Sequence, residues 1–444
     1  MDAADGSCVC SKSELDLFTR PPVNGDMERG SVQTHFPLAT LAHGTPIEFH
    51  VAASPEEYVD LGRTMLHLEL AMTKRGGGAM ANRQPAVPCQ LLLHTLFQQV
   101  DVKLNDRLVT PSLNTYPYKA YLETLLSHGD ASKGSWLSAE GWFGEANEAP
   151  ELSNPGDGAA GEGLLKRASM VQQSRPFQLR GRPHVDIFQQ DRYLVPGVDM
   201  HVKFLPSDAA FHLLYDPEKD TQGHFKINIR RAELLVRRVR LNPSVALAHA
   251  QQLESGKTVK YPLRRGVVTT FAVPLGSQSF VKENLISGQL PRRAFVAMTT
   301  NAAFNGTPPL NPFNFQHFGL NFLTASIASE SFPSQPYKPD FANGRYVEVF
   351  TDLMRAAGFQ DSGRGCSIDY AAFVDGGNVI AGFDFTADMA EGAHVDPIKY
   401  GSLRLEGHFG AALTAAVNVI VYAEYDNLIQ VDRSRNVTAD FSST

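Results

Sequence analysis

From Phe97 to Pro111 the chain reads FQQVDVKLNDRLVTP, with apolar and polar residues alternating on either side of Asn105-Asp106. Side chains on a strand point to opposite faces in turn, so Val100, Val102 and Leu104 share one buried face and Asp101 and Lys103 take the other. Asn and Asp tolerate positive φ, and the stretch predicts a hairpin with a two-residue turn. The same alternation recurs in IEFHV (Ile47 to Val51), TMLHLELAM (Thr64 to Met72), VDMHVKF (Val198 to Phe204) and VNVIVYAEY (Val417 to Tyr425), with Pro and Gly between the runs. Many short strands separated by loops predict an all-β sandwich or barrel, not alternating βαβ units.

Two helical patterns interrupt the strands. YPYKAYLETLLSHG sets Tyr118, Tyr121, Leu122 and Leu125 on one face and reaches Gly129, a candidate C-terminal cap. GRYVEVFTDLMRAAG sets Tyr346, Val349, Phe350 and Leu353 or Met354 on one face and reaches Gly358. Shifted by 229 residues, Tyr121 meets Phe350, Glu123 meets Asp352, Leu125 meets Met354 and Gly129 meets Gly358. A strand pair precedes each helix, VKLNDRLVTP and LTASIASESFP. Strands are expected after each, at HVDIFQQD (His184 to Asp191) and AGFDFTAD (Ala381 to Asp388), then long closing strands, RRAELLVRRVRL and AAVNVIVYAEY. The chain reads as two copies of one β-domain.

The join is expected near residue 243, where a short helix starts at Ser244 after Pro243. The division is then a polar arm over 1–30, a first domain over 31–243 with a flexible insertion at about 127–176, a second domain over 244–432 and a polar tail over 433–444. SNPGDGAAGEG (Ser153 to Gly163), nearly free of apolar residues, is the centre of that insertion.

With 444 residues, 43% of them hydrophobic, the chain can bury a large core, and general disorder is excluded. No run of about eighteen apolar residues predicts a membrane span, and the polar N-terminal stretch does not read as a secretory signal, so a reducing compartment is expected. Four scattered cysteines, Cys8, Cys10, Cys89 and Cys366, suit neither a disulfide framework nor a four-thiolate zinc site. The net charge of −7 argues against a wholly basic, nucleic-acid-binding surface. Arginines do cluster locally at Arg230, Arg231, Arg237, Arg238 and Arg240, and again at Arg264-Arg265 and Arg292-Arg293.

Catalytic motifs fail one by one. GDGAAG (Gly156 to Gly161) has the letters of a dinucleotide loop, a motif that needs a βαβ unit around it, but here it follows ELSNP. No two of the fourteen histidines are closer than His43 and His50, so paired-histidine metal motifs are absent. Asp384, Asp388, Glu391, His394 and Asp396 crowd one stretch but match no calcium loop and read as a solvated loop. Trp136 and Trp142 are close enough in sequence for a sugar platform, although anchoring of a loop accounts for them better. No catalytic residue, metal ligand or cofactor site is assigned. A carbohydrate-binding protein and a β-sandwich glycoside-processing enzyme stand as the alternatives.

Four stretches together carry a resemblance: EYVDLGRTMLHLELAM, LLLHTLFQQVDVKLNDRLVTPSLNTYPYKAYLETLLSHG, NPFNFQHFGLNFLTASIASESFPSQPYKPDF and YGSLRLEGHFGAALTAAVNVIVYAEYDNLIQVDRSRNV. They resemble the major capsid proteins of Polinton (Maverick) elements and adintoviruses, and more distantly those of virophages, from about Pro46 to Val437. The resemblance implies two tandem eight-stranded jelly rolls with a few short helices, in homotrimers that tile an icosahedral shell around double-stranded DNA. It implies neighbouring capsomers, a single-jelly-roll penton protein and minor capsid proteins as partners. The expected place is the virion capsid, with synthesis in the host cytoplasm and the nucleus as a site of assembly. On this reading Arg230, Arg231, Arg237, Arg238 and Arg240 are candidates for the trimer interface or the inner face of the shell.

Overall fold

The computed structural model describes residue 17 and residues 24–74, 76–80, 86–143, 161–215, 225–328, 330–360, 362–387 and 397–441. The first half runs β1 (Met27–His35), β2 (Ile47–Val51), β3 (Glu57–Lys74), β4 (Ala86–Pro88), β5 (Phe97–Leu104), β6 (Arg107–Leu108), β7 (Phe177–Gly181), β8 (Met200–Pro206), β9 (Leu213–Tyr215) and β10 (Phe225–Leu241). The second runs β11 (Val259–Val273), β12 (Ser279–Gln289), β13 (Arg293–Thr300), β14 (Leu320–Ile327), β15 (Glu330–Tyr337), β16 (Ile380–Asp384), β17 (Tyr400–Phe409), β18 (Val417–Val431) and β19 (Val437–Ala439). Three longer helices matter below: α1 (Tyr116–Ser127), α2 (Pro243–Glu254) and α3 (Val347–Ala356).

Each half has two four-stranded walls. The first has β1-β10-β3-β7 and β2-β8-β5-β6, with β4 and β9 as an accessory pair; the second has β11-β18-β13-β16, to which β19 adds as an accessory fifth strand on β18, and β12-β17-β14-β15. With the accessory strands set aside, both halves place their first strand beside the last, and the second beside the second from last. That wrapped antiparallel order is the jelly roll, and it occurs twice. Among the described residues no sheet mixes strands from before and after α2. Asn242 caps α2 by accepting from the Ser244 N–H at 3.1 Å, and Pro243 opens it.

The hairpin at β5 and β6 has the expected turn, with Asn105 and Asp106 at φ 44° and 64°. Both central residues in the left-handed region give the turn whose twist matches that of the strands it joins. Val100, Val102 and Leu104 are buried and Lys103 is exposed.

Four local expectations change. HVDIFQQD is not a strand: Asp186–Phe188 is a single 3-10 turn, and the wall strand is β7, just upstream. Asp186, Ile187 and Phe188 are all buried, a run that strand alternation cannot supply. Gly129 does not cap α1, which ends on His128 in extended conformation; Gly129 has φ −84° and precedes the next helical turn. Gly358, by contrast, is left-handed at φ 74°. Residues 437–439, within the stretch read as a polar tail, form β19 on β18, secured by the Leu428 N–H on Asp440 and by Arg265 stacked 4.7 Å from the Phe441 ring. Finally, around the expected insertion the described residues form helices, including Glu162–Met170, while 144–160, with most of the glycine-rich stretch, lie outside the described residues.

Candidate assembly surfaces

The two sandwiches share one continuous apolar cluster, and α1 lies at their seam. Every residue from Tyr116 to Leu126 is buried, so the helix has no solvent face. The Tyr121 ring stacks 4.2 Å from Phe313 of the second half and 5.4 Å from Trp142 of the first, and Tyr118 stacks 5.2 Å from Phe304. Offset aromatic pairs of this kind add to the burial of the rings themselves. From the other side β11 presses on the helix: the Thr115 hydroxyl donates to the Val268 carbonyl, and the Gly266 N–H donates to Asp186 at 3.1 Å. A Cβ at position 266 would lie 2.8 Å from the Tyr422 ring and 2.9 Å from the Glu123 carboxylate, so glycine permits this approach.

Polar groups in the seam satisfy one another. The Lys119 ammonium lies 2.5 Å from Asp186 and 3.7 Å from Glu123. Burial by itself would raise the Glu123 carboxyl, but Lys119 and the hydrogen bonds from His184 and Gln189 hold it well below its usual range. The Tyr422 hydroxyl of the second half reaches the same carboxylate at 3.2 Å. Behind it, His94, Glu140 and His184 bring three potential metal-ligand atoms within 4.8 Å of one another, the single such group among the described residues. Every nitrogen there has a partner: His94 contacts the Tyr116 hydroxyl and Glu140, and His184 contacts Glu123 and the Thr124 hydroxyl. Burial depresses the His94 pKa, which favours the neutral ring. The cluster is a hydrogen-bond chain that ties the seam together.

Helix α3 follows the fifth wall strand of its half, as α1 does, but its surroundings differ. Val349, Leu353 and Ala356 are buried against β16, where Gly382 lets the helix approach: a Cβ there would lie 3.0 Å from the Leu353 Cα. Val347, Glu348, Thr351 and Arg355 face outward. The first strands differ in the same sense, since β1 is largely exposed and β11 largely covered.

No family model matches this sequence. An uncharacterized protein of Caenorhabditis elegans is 24% identical over 404 residues, 89% of this chain and 93% of that protein. In structure the chain is similar to one from the Sputnik virophage, with TM-score 0.63, 11% identity and coverage of 99% of this chain and 94% of that one. It is similar to the mavirus major capsid protein at TM-score 0.52 and 11% identity, covering 99% and 97%, and to the Faustovirus major capsid protein at 0.56 and 9%, covering 95% and 92%. The fold is the double jelly roll of viral major capsid proteins.

In this double jelly roll the five arginines of β10 are spread along one strand and do not converge on a site. Arg230 is exposed. Arg231 pairs with Glu233 at 2.5 Å, Arg237 with Asp60 at 2.6 Å, and Arg240 with Glu56 at 3.2 Å. Arg238 is buried and donates to the Ala52 carbonyl at 2.6 Å. The tryptophans do not form a platform: Trp142 is 4% exposed beneath Tyr121, whereas Trp136 is 53% exposed beside His128. Of the acidic stretch only Asp384 is described, and it accepts from the Thr386 N–H and hydroxyl; Asp388, Glu391, His394 and Asp396 lie outside the described residues, as do Cys8 and Cys10. Cys89 is buried and its thiol is pushed up to about 12, and Cys366 is partly buried beside Met354.

Sequence reasoning missed the Lys119, Glu123, Asp186 and His184 network. A signal was present in part: Lys119 and Glu123 are four residues apart on a helix with little other charge. Their partners come from sequence separations of 61 to 299 residues, which no local pattern encodes.

Proposed function

We propose that this chain is the structural subunit of a viral or virus-like shell, three copies forming a pseudo-hexagonal capsomer that tiles an icosahedral capsid around double-stranded DNA. The observation that carries this reading is the pair of complete jelly rolls, in tandem over the whole described chain, in the arrangement of the mavirus and Faustovirus major capsid proteins. Three chains of two similar blocks supply six, which fits a hexagonal lattice site and gives the duplication a purpose. The blocks are taken as residues 31–243 and 244–432, with β1 beginning inside the leading segment 1–30 and β19 lying inside 433–444. The protein acts without catalysis, and its place is the virion.

Partners on this reading are other copies of the chain, a single-jelly-roll penton protein, minor capsid proteins, and DNA held without sequence preference. Among the described residues no helix is long and apolar enough to cross a membrane. The guanidinium groups of Arg230, Arg231 and Arg240 reach solvent and are the members of the arginine row open to a neighbour or to packaged DNA; Arg237 is half-buried on Asp60, and Arg238 is buried in the wall.

Light scattering of the purified protein tests the reading. A particle of three times 48.6 kDa with a hexagonal outline by negative-stain imaging is expected. A monomer at micromolar concentration would overturn it.

A further inference from the structure

Beneath β11 an amine and two carboxyl groups meet away from solvent. The Lys119, Glu123 and Asp186 side chains are 9%, 9% and 3% exposed. The Lys119 Nζ lies 2.5 Å from Asp186 Oδ1 and 3.7 Å from Glu123 Oε1. The two carboxyl groups are differently placed. Glu123 accepts from His184, Gln189 and the Tyr422 hydroxyl, which between them occupy both of its oxygens. Asp186 accepts on Oδ1, from Lys119 and from the Gly266 N–H at 3.1 Å. Its Oδ2 is buried and has no hydrogen-bond partner among the described residues. A buried carboxylate kept only for its charge has both oxygens paired, because an unpaired buried acceptor is destabilising. Here one oxygen of Asp186 is held and the other is left over.

We infer that the Lys119 and Asp186 side chains join in an isopeptide bond, with Glu123 as the group that carries the proton. The Lys119 amine attacks Cγ of Asp186, so that a C–N bond forms and the Cγ–Oδ2 bond breaks. Of the three protons of the ammonium, one passes to the Asp186 carboxyl, one passes through Glu123 to the departing oxygen, and one stays on the amide nitrogen. Oδ2 therefore leaves as water, and no oxidant or further reactant enters the balance. Oδ1, where negative charge develops during the attack, already faces the Gly266 N–H and remains as the amide carbonyl. The oxygen without a partner is the one that is lost.

Three features favour the step. The reacting groups are fixed in contact, which turns an encounter into an intramolecular reaction. Burial raises the Asp186 carboxyl toward its neutral, electrophilic form. Exchange of a buried ion pair for a neutral amide removes the cost of holding charges away from water. The bond ties α1 to the turn at Asp186, 67 residues away, under the strand by which the second half rests on the first. It cannot recur at α3, where Glu348 stands 229 residues on from Lys119 and supplies no amine. The clamp belongs to the internal junction alone, and it goes beyond the capsomer reading without resting on it.

The test is the mass of the purified full chain. Lys119→Arg keeps a cation beside the carboxylates and cannot form the bond, so it is the reference. The parent should be lighter than this reference by one water, beyond the difference between Lys and Arg. Trypsin should release from the parent a branched peptide joining Leu108–Lys133 to Gly181–Arg192, uncut after Lys119. Glu123→Gln should accumulate chain that lacks the bond; a fully bonded Glu123→Gln protein would remove the glutamate from the step. A parent that unfolds cooperatively on heating, carries its full sequence mass and is cut after Lys119 would overturn the inference and leave the capsomer reading untouched. So would a water lost at an Asp-Gly sequence, as a succinimide, with Lys119 still open to trypsin.

Discussion

Helices α1 and α3 hold the same topological position in two copies of one fold, yet every residue of α1 from Tyr116 to Leu126 is buried while α3 keeps an open outer face. The first strands show the same contrast, β11 covered and β1 bare. The difference follows from connectivity, not from the fold of either half. Two similar blocks in one chain create a single internal junction, and at that junction α1 carries stacked rings and paired charges. On α3 the equivalent positions stay amphipathic, as a helix on the surface of a sandwich requires.

The sharpest way to break this comparison is to remove the central charge. Lys119→Met leaves the Asp186 and Glu123 carboxylates buried without their cation and should cost about 3–5 kcal/mol, the usual penalty for breaking a buried pair from one side. Glu348→Met, at the matching position of α3, should change stability by less than about 0.5 kcal/mol. Urea unfolding of both variants measures the difference. Equal losses would mean that the two helices are not in distinct environments. The ring pair is the next test. Tyr121→Ala should cost about 3–5 kcal/mol, since its ring packs between Phe313 and Trp142. Phe350→Ala, in proportion to its partial burial, should cost about 2 kcal/mol.

The sequence made half of this contrast legible. Alternation located most wall strands, and the shift of 229 residues matched Phe350 to Tyr121 and so exposed the duplication. What it could not show is that the two helices have different fates. The apolar face of α1, Tyr118, Tyr121, Leu122 and Leu125, looks like that of any amphipathic helix. Its polar side is buried because the turn at Asp186 and then β11, more than a hundred residues later, arrive against it. Asp186 was misplaced for the same reason: a carboxylate inside an apolar run reads as a strand's outward residue until Lys119 is known to face it. The arginines of β10 show the converse error of emphasis. Their clustering in sequence suggested a shared surface, but strand geometry and the nearby carboxylates Asp60, Glu56 and Glu233 give most of them separate local partners.

Acid should also separate the halves. Burial depresses His212 to about 4 and also lowers His94, both in the first half. A histidine whose folded pKa lies below its unfolded value of 6.5 binds its proton more readily in the unfolded chain. Stability is therefore complete above about pH 6.5 and falls as the pH drops toward 4. For His212 the loss should reach about 3 kcal/mol, from 1.36 kcal/mol per pH unit. Unfolding followed between pH 7 and 4 should show this slope, His212→Gln should reduce it, and hydrogen exchange at pH 5 should open the first half before the second. An unchanged slope in His212→Gln would remove that histidine from the account.

The smallest effect lies in the two hairpins that precede the helices. The first turns through Asn105 and Asp106, whose short polar side chains tolerate the left-handed region. The second has Ala328 at φ 54°, an alanine in a conformation that its Cβ disfavours by about 1 kcal/mol. Ala328→Gly removes that strain but frees the unfolded chain, so the net gain should be about 0.5 kcal/mol. Asp106→Gly, where the strain is already eased by residue type, should gain less. A thermal midpoint that rises for Ala328→Gly and stays level for Asp106→Gly would show that the second copy tolerates a poorer turn than the first. If Ala328→Gly lowers the midpoint, the left-handed alanine is not a source of strain, and the two hairpins differ in sequence without differing in energy.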